Sequence, residues 1–283
     1  MSAGAIGLLL VSAVLHTTWN LLVKRTEEKY ITVWWGMLLG SSFFLPFLFF
    51  TGLPAPSLWP LLFISVLCEV AYYIVLTAAY DDSDFSLVYP VGRGAAPAFI
   101  ALWSLLFLHE SLTSGGITGI VIIVVGLMIV GGSSLFQAQA KAPLRGLLLA
   151  LLVALLISIY SAIDGAVVKR TATFPYAVLI FFLAPVLMTP HVFRQYGWTK
   201  LRAQFDGYHW RILSVGLLTV SAYFLALVAY SFSRVGYAGA IREVSVVMAA
   251  FAGWRFLNEK LGGIRVIGAV VIFVGILVIA IYG

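Results

Sequence analysis

The chain runs in unbroken apolar stretches of roughly twenty residues, parted by short polar interruptions, and this pattern recurs ten times. At about 1.5 Å per residue, a helix of that length crosses the roughly 30 Å hydrocarbon layer. The pattern therefore predicts ten spans near 4–23, 31–50, 58–80, 85–108, 115–134, 144–168, 175–193, 211–232, 237–257 and 262–282. A transmembrane β-barrel would alternate apolar and polar positions along each strand, and these runs are continuous. The breaks carry Pro, Gly, Ser and Asp, as in Gly52–Ser57, Asp81–Asp84 and Ser114–Gly116. One break is longer, 194–210, and its Trp198, Tyr208 and Trp210 suit a segment lying at headgroup level.

Composition sharpens this picture. Of 283 residues 62% are hydrophobic and 10% charged, against about 25% charged in soluble domains. So few charges cannot cover a folded monomer in water, so the solvent must be mostly lipid. The net charge of +6 is not gathered into a basic patch interleaved with aromatics, which argues against a nucleic-acid partner. A single cysteine, Cys68, lies inside an apolar run and supports neither a disulfide framework nor a metal site. The first run is preceded by no Lys or Arg, carries His16 and Asn20 and ends in Lys24 and Arg25, so it reads as a span rather than a cleaved signal. Twelve of the 17 basic residues fall in the odd-numbered connections and three in the even ones. By the positive-inside rule the odd connections are cytoplasmic and both termini lie outside.

The chain also repeats itself. At a shift of 149 residues 107-FLHESL-112 meets 256-FLNEKL-261, and nine of 21 positions from 106 to 126 are identical. Glu110 falls on Glu259, Gly119 on Gly268, Gly126 on Gly275 and Arg93 on Arg242; at a shift of 145, 23-VKRT-26 falls on 168-VKRT-171. The predicted fold is an all-α integral membrane protein, with repeats at 1–134 and 144–283 joined by a linker at 135–143. Five spans per repeat force the copies into opposite orientation, the inverted-repeat plan in which substrate sites sit at the repeat interface near the bilayer midplane.

With these pieces in hand the sequence resembles the drug/metabolite transporter superfamily, in its ten-helix EamA-type branch. The resemblance covers the whole chain and is strongest at 107-FLHESLTSGGITGIVIIVVG-126 and 256-FLNEKLGGIRVIGAVVIFVG-275, with 16-HTTWNLLVKR-25, 89-YPVGRGAAP-97 and 240-AIREVSV-246 similar to one bacterial subgroup. It implies a carrier or exporter of small polar metabolites, multi-pass in a bacterial cytoplasmic membrane. It also implies cytoplasmic termini, against the basic count. The small multidrug pumps of that superfamily carry a working Glu in the first span; this chain has no acid there, so their cation mechanism is not carried over.

Charged groups inside a span cost about 2.5–3.5 kcal/mol each, so each invites a reason. Glu69 lies mid-span, too deep for its short side chain to snorkel, with Tyr72, Tyr73 and Tyr80 on the same helical face. It is the main candidate for proton coupling, with Asp164 and Glu243 as further acids; a protonated structural Glu is the alternative. Arg93 and Arg242 occupy equivalent positions in the repeats. Either alone fits an interfacial anchor, but their pairing, Pro90 and Pro97 around the first and Glu243 beside the second favour a central site for a carboxylate, phosphate or phosphonate. The prolines are expected to break the backbone ladder around Arg93. Ser12, His16, Trp19 and Asn20 share a face of the first span and Tyr160, Ser161 and Asp164 a face of the sixth. Tyr89 and Tyr223 complete the candidate substrate contacts, although interhelical glue is an equal reading for His16 and Asn20. Gly119 with Gly126 and Gly268 with Gly275 predict close helix packing or a dimer seam, and Glu110 and Glu259 read as caps at span ends.

Other chemistry is set aside. His109-Glu110 lacks the second His of a metalloprotease helix, and Gly92-Arg93-Gly94 lacks the Lys-Ser/Thr of a phosphate loop. No cofactor or metal is expected. The expected partners are a small-molecule substrate and membrane lipid, with the chain a monomer or homodimer. A membrane-embedded enzyme acting on lipid-linked substrates and a non-transporting assembly subunit are the competing classes.

Overall fold

The computed structural model describes residues 1–82, 85–132, 144–248, 251 and 263–283, and every regular element among them is helical. In chain order these are α1 (Ala3–Lys24), α2 (Lys29–Phe44), α3 (Leu48–Thr51), α4 (Trp59–Asp82), α5 (Phe85–Leu106), α6 (Ser114–Gly132), α7 (Leu144–Val168), α8 (Thr173–Phe232), α9 (Val235–Arg242) and α10 (Gly263–Tyr282). The expected linker 135–143, the 256–261 motif with Glu259, and Asp84 lie outside the described residues.

Local chemistry sets the ends. Ser2 caps α1, its Oγ accepting from Ala5 N at 3.3 Å, and Lys24 sits in the last turn, where a cation favours the helix dipole. Gly52 (φ 75°) ends α3 in the left-handed region, and Pro56 opens the turn that leads into α4. Five stretches are long and apolar enough to cross a membrane: Ala3–Lys24, Lys29–Thr51, Pro56–Leu76, Leu144–Val168 and Thr173–Phe232. Shorter apolar helices follow at Val91–Leu106, Ser114–Ile129 and Val266–Tyr282.

The 60-residue α8 is not one rod. A straight helix of that length would reach about 90 Å, three bilayer cores. It breaks at Gly197 (φ 70°, ψ 157°) and Tyr208 (φ −135°, ψ 20°) and doubles back. Near its start Tyr176, and near its end Tyr223, both reach the same carboxylate, Asp164. Around the reversal, Trp34 donates to Pro185 O at 3.0 Å and its neighbour Trp35 to Leu201 O at 3.1 Å. Trp198 and Trp210, expected at headgroup level, are exposed.

The helical breaks differ from expectation in two places. The prolines do not interrupt α5, which runs helical from Phe85 through Pro90 and Pro97 to Leu106. The expected span 237–257 breaks instead, with no proline, where α9 ends at Arg242; Glu243 (φ −69°, ψ −3°) leaves the helix and 244–248 resume it.

Two glycine seams draw helices together. A Cβ on Gly119 of α6 would lie 2.9 Å from Gly275 O of α10, and one on Gly126 would lie 3.0 Å from Gly268 O. The glycine stripe seen in the sequence is thus occupied within the chain, which removes the dimer-seam alternative for that face. The second seam joins α2 to α8, where a Cβ on Gly216 would stand 2.0 Å from Gly36 O and one on Gly40 2.4 Å from Gly216 C. The halves interlock reciprocally: α1 packs on the return limb of α8 and on α9, while α7 packs on α4 and α5. One end gathers Met1, Glu110, Lys169, Arg234 and Gly283 around a depression of about 570 Å³, so α1 leaves the end at which α7 arrives.

Candidate functional site

Ten of the thirteen residues singled out above meet in one cluster between the halves. From α4 comes Glu69, buried, with the half-buried Tyr72 and Tyr73 one turn on, their rings 4.9 Å apart. From α7 come Tyr160 and Asp164, one turn apart; Tyr160 faces Tyr72 at 6.3 Å and Tyr223 at 6.5 Å. From α5 comes Arg93, and from the break after α9 come Arg242 and Glu243. Both guanidinium groups act electrostatically on His16 of α1, and Glu69, Glu243, Arg93 and Arg242 all act on Tyr72.

The charges in this cluster are partnered unequally. Arg93 Nη1 lies 3.5 Å from Glu243 Oε1, an ion pair across the repeats. The other oxygen of Glu243, Oε2, is buried and has no hydrogen-bond partner among the described residues. Arg242 holds no carboxylate in ion-pair range among the described residues; its guanidinium rests on the Tyr223 ring, 4.7 Å from the centroid, with Tyr160 and Tyr230 beside it. A cation on an aromatic face is attracted by the ring quadrupole, and a guanidinium has five N–H donors, more than the hydroxyl of Tyr230 can take up.

Asp164 is the most fully satisfied acid of the three. Its Oδ1 accepts from Ser65 Oγ and from Tyr176 OH at 2.7 Å, and its Oδ2 accepts from Tyr223 OH. These three hydroxyl donors come from three different stretches of the chain and tie α4 and both limbs of α8 to one fully buried carboxyl of α7. It anchors the hydroxyl of the Tyr223 ring that carries Arg242. No comparable set of hydroxyl donors surrounds Glu69 among the described residues.

The remaining candidates are placed more loosely. Trp19 joins the cluster through His16, ring to ring at 5.0 Å, and its Nε1 is buried with no partner among the described residues. Asn20 donates to His16 O at 2.8 Å, so its amide is engaged within α1. Tyr89 lies on α5, but its side chain is outside the described set. Ser65 and Tyr176 were not anticipated. Ser65 was within reach, since it stands one turn before Glu69 on the same face of α4. Tyr176, at the start of an apolar run, looks in sequence like any headgroup aromatic.

Comparisons with known proteins agree with this architecture. A family model described as the EamA-like transporter family matches residues 3–132 and again residues 144–281. A crystal structure of another protein, 16% identical, superimposes with a TM-score of 0.79 over 99% of this chain and 98% of its own length. At that identity the likeness shows the fold alone. No curated protein matches the sequence significantly.

Proposed function

The chain belongs to the EamA-like transporter family, a branch of the drug/metabolite transporter superfamily, and from that premise we propose that it exports a small polar metabolite bearing an anionic group across a bacterial cytoplasmic membrane. Amino acids and aminophosphonates fit the site best. The observation that carries this reading is the unequal pairing of the arginines: Arg93 is neutralised by Glu243, whereas Arg242 sits on a tyrosine ring with its fork unoccupied by any described carboxylate. A guanidinium held in that way suits bidentate binding of a carboxylate or phosphonate. The unpartnered Oε2 of Glu243 and the buried Glu69 supply acceptors for the ammonium end of a zwitterion.

In this reading the chain crosses the membrane ten times as two inverted repeats of five, and alternating access is their rocking about the site. An arriving anion competes with Glu243 for the arginines and so biases the equilibrium between the two openings. The sequence carries no phosphate loop, so a gradient drives the cycle, with Glu69 as the titrating group.

The test is Glu69→Gln in sealed vesicles. Gln keeps the shape and hydrogen bonds but does not titrate, so the variant should fold and bind yet show no proton-gradient-driven flux. Unchanged pH-dependent flux would remove Glu69 from coupling. Orientation is tested separately: with both termini outside, an alkaline phosphatase fused after Gly283 is active, whereas a working cytoplasmic fluorescent fusion would reverse the topology.

A further inference from the structure

Glu110 stands away from the binding cluster, at the end of the molecule where both termini lie. It is nonetheless one of the most heavily coordinated side chains described. Its Oε1 accepts from Lys169 Nζ at 2.5 Å and from Val235 N at 2.9 Å, and its Oε2 accepts from Ser104 Oγ at 2.8 Å and from Gly236 N at 3.3 Å. Its side chain is 6% exposed against 34% for Lys169. The backbone is shaped to deliver it. His109 adopts a left-handed conformation (φ 51°) and Glu110 N donates back to Ser104 O at 3.0 Å, folding the loop under the end of α5.

The donors come from three separate places: the end of α5, the connection from α7 to α8, and the first turn of α9. Val235 and Gly236 are the first residues of α9, whose amides have no partner inside the helix. A carboxylate there satisfies two of them and sits at the positive end of the helix dipole. The same eight-residue helix ends at Arg242, and its first residues pack tightly: a Cβ on Gly236 would lie 2.8 Å from Ser104 Oγ. The first half of the chain thus grips the helix that carries the site arginine.

We propose that Glu110 is a positioning residue and latch: it closes the terminal end of the molecule by tying the first half to α9, and it fixes the register of α9, and with it Arg242, against the site. Opening toward that end requires Glu110 to release the amides of Val235 and Gly236. The cap carries the latch, with Lys169 contributing less, because the lysine is the more exposed partner. The link to Arg242 rests on the reading of the arginine cluster as the binding site; the latch itself does not.

Hydrogen exchange on the full-length protein in lipid nanodiscs tests the latch without any substrate. Glu110→Ala should speed exchange in a peptide covering 233–242 at least tenfold while peptides from α6 and α10 keep wild-type rates. Lys169→Met should leave 233–242 within about twofold of wild type. The charge swap Glu110→Lys with Lys169→Glu should not rescue protection, because lysine has no acceptor for the two amides. Should Glu110→Ala not fold, Glu110→Gln takes its place, with a smaller increase confined to the same peptide. A second readout follows opening: in a Cys68→Ser background, Ser161→Cys should react with an impermeant maleimide applied from the terminal side several-fold faster when Glu110 is Gln. Wild-type exchange at 233–242 in the Glu110 variants, rescue by the charge swap, or unchanged labelling of residue 161 would each overturn the proposal. None of these outcomes bears on whether the protein transports, so the latch and the transport reading fail separately.

Discussion

Arg93 and Arg242 fall on each other when the two halves of the sequence are superimposed, yet the fold gives them different surroundings. Arg93 rides an unbroken helix despite two prolines, is about a quarter exposed, and is tied to Glu243. Arg242 ends a short helix that breaks without any proline and lies against Tyr223, whose hydroxyl is held by Asp164. Duplication thus supplied two equivalent cations, and the packing around them assigned one to an internal ion pair and left the other facing the site. Proline lowers the number of backbone hydrogen bonds a helix can make but does not dictate a break, because neighbouring packing can hold the helix straight.

The difference can be broken by substitution. Arg242→Ala should weaken binding of an anionic ligand about a hundredfold, since removing one partner of a desolvated charged contact costs about 2–5 kcal/mol and each 1.4 kcal/mol is tenfold. It should leave stability nearly unchanged. Arg93→Ala should do the reverse, lowering stability by about 2–3 kcal/mol because Glu243 is left buried with neither oxygen paired, with affinity falling only a few-fold. Thermal unfolding with and without ligand separates the two patterns, and identical behaviour of the variants would erase the distinction.

How much of this was legible in the sequence depends on the kind of signal. Apolar length placed the helices, because lipid demands internal satisfaction of every backbone group over a fixed thickness. The α6–α10 seam showed itself through glycines seven residues apart in both repeats, whereas the α2–α8 seam did not, since Gly36, Gly40 and Gly216 have no repeat counterpart to mark them. The reversal inside α8 was visible as the long polar break at 194–210, and Gly197 supplies the φ of 70° it needs. That these residues would gather into one cluster was legible because buried charge is costly wherever it lies. The partners were not: that Asp164 would take three hydroxyls while Arg93 took Glu243 depends on which helices meet, which no spacing within a single span encodes.

Smaller effects sharpen the same contrast. Glu243→Gln releases Arg93 from its counter-charge, so a second guanidinium becomes available and anionic ligands should bind up to about fivefold tighter, an effect of about 1 kcal/mol. Titration of the ligand against that variant decides it, and weaker binding would mean that Glu243 contacts the substrate more than it restrains Arg93. Tyr223→Phe keeps the ring under Arg242 but loses the bond to Asp164. Net values of about 1 kcal/mol for such hydrogen bonds suggest a loss of roughly three- to sixfold in affinity, while Tyr223→Leu, which removes the ring as well, should lose more. Equal losses in the two variants would show that the ring itself does not support the arginine.

The central claim, that Arg242 receives an anionic group of the transported molecule, is met most directly by pairing compounds that differ only in an acid: amino acids against their amides, aminophosphonates against the parent amines. Thermal stabilisation of the wild-type protein, the Arg93→Ala variant and the Arg242→Ala variant is measured across the same pairs. The account predicts that some acidic members stabilise the wild type and, more weakly, Arg93→Ala, while Arg242→Ala responds to none of them. Stabilisation by amines alone, or an Arg242→Ala variant that responds to the acids as the wild type does, would contradict it.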